Sequence, residues 1–128
     1  MEIIIIKCGG FAFAVNLRDV FKIVFKNDVR LNNANIYYKD YTFYNMTEKF
    51  KNLIKNDYPN EYYVLFANPE MQAALSVENV EGTLDIGTTE LYPLSEDLFA
   101  QGTCLFKYFY YHTKKKKGVL LFDFQQLI

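Results

Sequence analysis

Apolar and polar positions along this chain form short runs, mostly with a period of two, broken at close intervals by Gly, Pro, Asn and Asp. The Ile3-Ile4-Ile5-Ile6 run predicts a buried strand over residues 3–7, and Gly9-Gly10 supply a tight turn. Phe11-Ala12-Phe13-Ala14-Val15 predicts the returning strand of a hairpin, with Phe11, Phe13 and Val15 on one face. Asn16 then stands as an N-cap, its side-chain oxygen able to accept an otherwise unpaired backbone N–H. Val20, Ile23 and Val24 follow at helical spacing and predict a short helix over 17–24.

Residues 26–35 are polar and rich in Asn, which predicts a loop. Residues 36–44 predict a strand pair or one bent strand, with Lys39-Asp40 as the turn. Asn45 has Glu48 three residues on, a capping-box arrangement, and Met46, Phe50, Leu53 and Ile54 share one face of a second predicted helix that ends near Pro59. Residues 62–67 and 73–80 predict an antiparallel pair across Asn68-Pro69. Residues 88–97, around Pro93, predict a polar connection. The last strands span 103–111 and 118–122, joined across 112–117, and a capped turn with Asp123 and Gln126 follows.

One ten-residue stretch echoes another. Residues 39–48 align with 117–126, and both read as turn, apolar strand, acidic or amide cap, apolar residue, helix start. The physical content is a strand whose end is pinned to a turn by a side-chain cap. Used twice, it predicts two similar halves. Many short strands with little helix predict an all-β fold, a small barrel or a pair of barrels.

The length of 128 residues limits the chain to one domain or two small halves sharing a core. Its 12 Phe and 11 Tyr, without Trp, reinforce the β reading, because aromatic rings suit a pleated, half-buried surface. A formal charge of −1 supplies no bulk field to recruit nucleic acid or anionic membrane. The isoleucine run is shorter than a signal-peptide core and lacks a basic flank, and no stretch approaches the ~20 apolar residues of a spanning helix. These features predict a cytoplasmic protein without membrane insertion, in which the sequon Asn45-Met46-Thr47 is a coincidence.

Candidate chemistry is sparse. Cys8, Cys104 and the lone His112 cannot build a Cys/His zinc site, so no metal and no cofactor are predicted. A Cys8–Cys104 disulfide is allowed by count, and two buried free thiols are the alternative. His112 offers no base for a nucleophile, the acidic pairs read as solvated surface, and Cys8-Gly9-Gly10 lacks the spacing of a phosphate loop. No enzyme signature is present. Gly10-Phe11-Ala12-Phe13-Ala14 has the aromatic spacing of an RNA-recognition strand, but it falls too early in the chain for that fold. Tyr108, Phe109, Tyr110 and Tyr111 beside Lys114–Lys117 could bind a single strand, although lysines at a hairpin tip also serve to blunt edge pairing.

The order of these motifs resembles a CheW-like domain, the scaffold module of bacterial chemotaxis arrays. Residues 3–24 are similar to the family's opening hairpin and the short helix after it, and residues 36–50 to its central strand with a following helix start, here Asn45-Met46. Residues 62–84 are similar to a strand pair ending in Val77-Glu78-Asn79-Val80. Leu91-Tyr92-Pro93 matches a proline-containing connection, and 118–127 the closing strand with Asp123-Phe124.

The resemblance implies two SH3-like five-stranded barrels on a shared apolar core, one CheW-like unit over 1–128 whose halves divide near 35 and 85. It implies an adaptor that binds the regulatory domain of a CheA-like histidine kinase and the cytoplasmic tip of a chemoreceptor. On the family pattern Val20 and Lys22, in the first predicted helix, fall at receptor-facing positions, with Val20 as apolar anchor. The family's Arg-Gly turn is replaced by Tyr37-Tyr38-Lys39-Asp40; Lys39 cannot copy the planar fork of Arg, and Tyr37 and Tyr38 offer aromatic contact instead. Partial burial in a small barrel is the other reading of those tyrosines. Two alternatives stand beside the adaptor: an interaction module of the same fold with a different protein partner, and a nucleic-acid-binding barrel using Lys114–Lys117.

Overall fold

The computed structural model describes residues 1–8, 10–47, 60–87, 91–93, 106–112, 117–122 and 124. Strands β1 (Glu2–Cys8) and β2 (Phe11–Asn16) form the predicted hairpin, with Gly10 at a positive φ of 83° in the turn. Next come β3 (Val20–Phe25), β4 (Arg30–Asn32), β5 (Asn35–Tyr38), β6 (Tyr41–Asn45), β7 (Tyr62–Ala67) and β8 (Gln72–Val77). The last four are β9 (Asn79–Asp85), β10 (Leu91–Pro93), β11 (Phe106–His112) and β12 (Lys117–Phe122).

Two six-stranded sheets result, ordered β10-β11-β12-β2-β1-β9 and β4-β5-β6-β8-β7-β3. The fold is all-β, as the punctuated strands predict. Each described sheet has six strands rather than five, because a three-residue strand, β4 or β10, occupies one edge. Written side by side, the two orders are the same pattern: β3 to β8 correspond to β9 to β12 followed by β1 and β2. The chain leaves the first sheet after Asn16, builds the second from Val20 to Val77, and returns at Asn79.

The ten-residue echo falls on the two strands that pair in parallel, β6 with β8 and β12 with β2. After β6, Asn45 Oδ1 accepts the Thr47 N–H at 3.2 Å, and the Ser76 N–H donates to Thr47 Oγ1 at 3.0 Å. The cap thereby continues the ladder beyond the backbone pairing. Met46 and Phe124, equivalent in the echo, are both buried in the same apolar cluster. Glu48 and the rest of the second predicted helix lie outside the described residues, as does the Asp123–Gln126 cap.

Burial explains the apolar runs. Ile4, Ile6, Cys8, Phe13 and Val15 of one sheet meet Val64, Phe66, Ala73, Leu75 and Val77 of the other in a shared cluster, with Phe106, Phe122 and Phe124. The intervening residues face two separate interiors, Ile3, Ala14, Tyr110 and Leu121 in the first sheet and Tyr63, Leu65 and Ala74 in the second. Strands β1, β2, β7 and β8 are therefore buried on both faces along their middles, and their polar residues, Glu2, Lys7, Asn16, Gln72 and Ser76, fall at or next to strand ends.

Four expectations are corrected. The strand expected over 73–80 ends at Val77, and Val80 belongs to β9 of the other sheet. Residues 17–24 are not a helix: Leu17–Asp19 makes one 3-10 turn, capped by Asn16 Oδ1 accepting the Arg18 N–H at 3.1 Å, and β3 begins at Val20. The register with β7 shifts at Phe21, between Val20↔Phe66 and Lys22↔Leu65, so the inserted residue brings Val20 and Ile23 onto one face at a spacing of three. That bulge imitates a helical period. Residues 26–35 are not one loop, since Lys26–Asp28 forms a 3-10 turn and Arg30–Asn32 pairs as β4 with β5. Within the predicted polar connection, Leu91–Pro93 is a strand paired with Tyr108–Tyr110.

The predicted turns hold at Lys39-Asp40, where Tyr38 pairs with Tyr41, and at Asn68, whose Oδ1 accepts the Glu70 and Met71 N–H groups at 2.8 Å. A second bulge lies in β9, where Ile5 pairs with Gly82 and Ile6 with Val80; Gly82 sits at φ 143°, which only glycine takes without strain.

The shared cluster is built on rings, with Phe66 5.2 Å from Phe124 and 6.0 Å from Phe122. Phe66→Ala is expected to cost about 3–5 kcal/mol of unfolding free energy in urea titrations, whereas Tyr92→Ala, at an exposed edge position, stays within about 0.5 kcal/mol. A Cβ at Gly118 would overlap the Phe109 ring. Gly118→Ala is therefore expected to destabilise by about 1–3 kcal/mol, and adding Phe109→Ala to it should recover part of the loss.

Candidate functional site

Strands β3 and β5 are four places apart in their sheet, yet their side chains meet. The sheet curls until its edge strand β3 returns over the β5–β6 hairpin. The Lys22 Nζ lies 5.4 Å from the centre of the Tyr38 ring, and the Lys39 Nζ lies at the same distance. Beside them the Phe21 ring stands 5.1 Å from Tyr41 and 6.0 Å from Phe43, a buried residue of the second sheet's interior.

Three sequence-predicted site residues, Lys22, Tyr38 and Lys39, thus come together, and two do not join them. Val20 is half-buried, pairs with Phe66 and packs against the shared cluster. Tyr37 points to the opposite face of β5, where the Arg30 guanidinium lies 5.9 Å from its ring. Tyr38 combines both readings given to it: most of its surface is buried in the second sheet's interior, with two cations at its phenol. The sequence reading missed Phe21 and Tyr41, which are 45% and 44% exposed. Tyr41 could have been found from its period-two partnership with Phe43; Phe21 could not, because its orientation follows from the bulge.

Electrostatics at this end are set by the lysines. Hydrogen bonding by the Lys22 ammonium is the largest cause lowering the Tyr38 pKa; partial desolvation opposes it, and the charges of Lys22 and Lys39 add to the lowering. The hairpin tip is also conformationally unusual, since Lys39 adopts φ 51°, a left-handed conformation that costs a non-glycine residue about 1 kcal/mol or more.

The other chemically notable group is Cys8. It is free and fully buried, and its thiol donates to the Ser76 carbonyl at 3.1 Å. Burial, and secondarily the Glu78 carboxylate, push its pKa up to about 12. Such a thiol is inert and behaves as an apolar residue. Cys104 and Lys114 to Lys116 lie outside the described residues. Among the described residues no group of three His, Cys, Asp or Glu could hold a metal ion, and no helix is long and apolar enough to cross a membrane.

No family model matches this sequence, and no curated protein matches it. Among solved structures it is similar to the scaffolding protein TtCheW from Thermoanaerobacter tengcongensis. The TM-score is 0.76 at 11% sequence identity, over 96% of this chain and 84% of that one. The fold is that of a CheW scaffold. At this identity the likeness extends to backbone architecture and not to individual side chains.

Two measurements test the site's electrostatics. Tyr38 is expected to ionise at lower pH than an ordinary tyrosine in ultraviolet titration, and Lys22→Met should raise its pKa more than Lys39→Met. Cys8 stays protonated in the fold to about 12 while an unfolded thiol ionises near 9.0, so the unfolded chain binds fewer protons in that window. The Cys8 contribution to stability is complete below pH 9.0 and declines as pH rises towards 12. Cys8→Ala should therefore show a shallower alkaline loss of stability than the wild type.

Proposed function

We propose that this chain is a CheW-type adaptor that holds the regulatory domain of a CheA-like histidine kinase against the cytoplasmic tip of a chemoreceptor. The observation that carries the reading is the likeness to a CheW scaffold over 96% of the chain. The end of the curled second sheet adds to it, because exposed aromatic rings beside cations suit a protein interface. In this reading the protein works in the cytoplasm, catalyses nothing and needs no metal or cofactor. Binding biases which packing arrangement the assembly adopts, and the signal passes through that bias.

A second reading has its own observation. Lys39 occupies the left-handed position of a turn at which the resembled family carries Arg-Gly. A lysine offers a point charge in place of a planar fork, which favours a partner other than the usual kinase and receptor for a module of this fold.

Co-purification with a CheA-like regulatory domain and with a receptor-tip fragment decides between them. The wild type is expected to retain both. Phe21→Asp, at an exposed position, is expected to weaken capture of one of them by about tenfold, or ~1.4 kcal/mol, with an unchanged circular-dichroism spectrum. Failure of the folded wild type to retain either partner would favour the second reading. Val20→Asp is the poorer probe, since Val20 packs against the shared cluster and its replacement also disturbs the fold.

A further inference from the structure

We infer that Lys22, Tyr38 and Lys39, with the Phe21–Tyr41 ring pair beside them, form a docking site for an acidic protein segment, a carboxylate seated at the ammoniums and its apolar neighbour laid on the rings. The inference rests on the adaptor reading only in taking the occupant to be protein.

Charge complementarity carries the argument. Two ammoniums approach one neutral phenol, and among the described residues neither has a carboxylate within the 4.0 Å that defines an ion pair. Asp40, the next residue after Lys39, pairs with neither. The three ion pairs of the described residues lie elsewhere, at Met1–Asp85, Arg18–Asp19 and Lys26–Glu61. An incoming carboxylate would relieve the repulsion between the lysines, and the Tyr38 hydroxyl could add a hydrogen bond to it.

The neighbouring surface specifies more than charge. Phe21 and Tyr41 together present a half-exposed aromatic surface continuous with the lysines. A free anion would leave those rings in water, while a peptide side chain next to the carboxylate would cover them. A polyphosphate strand suits the site less well: the chain's formal charge is −1, and two lysines at one phenol provide a point of attachment and no track along a backbone. Lys39 is held at the site in a costly left-handed conformation, which places its stem at the hairpin tip, above Tyr38.

The test uses isotope-labelled full-length protein and a capped peptide alternating glutamate and leucine. Amide shifts are expected at residues 21–22 and 38–41, with affinity that falls as salt is raised. Lys22→Gln and Lys39→Gln should each weaken binding about tenfold. The glutamine version of the peptide should bind far more weakly, and inorganic phosphate or oligothymidylate should not displace the acidic peptide. Equal binding of the glutamine peptide, unchanged affinity in both lysine variants, or tighter binding of oligothymidylate at these residues would overturn the inference. Peptide binding with no capture of kinase domain or receptor tip would sustain the site while removing the adaptor assignment, and the reverse result would remove the site alone.

Discussion

Every part of this structure depends on four strands that have no solvent face. β1, β2, β7 and β8 each turn alternate side chains into the cluster shared by both sheets and into the interior of their own sheet. Slipping any of them by one residue would exchange the two sets, putting Phe66 where Leu65 belongs and Ile3 where Ile4 belongs. The clusters differ in volume and in ring content, so the register is fixed from both sides at once. The hairpins β1–β2 and β7–β8 act as a rigid centre, and the remaining strands hang on it by edge pairing.

The division of labour between centre and edge gives the molecule its surface chemistry. Strands buried on both faces present few side chains to solvent, so the exposed chemistry lies on edge strands and hairpin ends. β3 is such an edge, and the curl of its sheet carries it back to the β5–β6 hairpin, where Lys22, Tyr38, Lys39, Phe21 and Tyr41 meet. The bulge at Phe21 releases that ring from the alternation of its strand and aims it at Tyr41 and Phe43. A local disruption of pairing thus builds the exposed aromatic surface.

The likeness to a CheW scaffold at 11% identity follows from the same constraint. Cores tolerate wide substitution when volume and periodicity persist. What must persist here is a period of two in the central strands, and after β6 a capped turn. Asn45 with Thr47 does this for β6 through two side-chain hydrogen bonds. Exposed side chains are under no such packing restriction, and so they can diverge while the fold persists.

Alternation and turn chemistry act over a few residues, and so the sequence alone determined the opening hairpin, the Asn68 turn, the Lys39-Asp40 turn, the all-β class and the strand-and-cap unit at Asn45. The helix expected at 17–24 was a bulged strand: one extra residue converts a period of two into a spacing of three, and only the register against β7 distinguishes the cases. β4 and β10 were illegible because three-residue strands carry too few positions to show a period. Lys22 and Tyr38 were each readable as candidates, but nothing within sixteen residues of sequence separation says that they touch. Their meeting is set by the closure of a sheet whose edges are distant in strand order, and such closure is a property of the whole packed core.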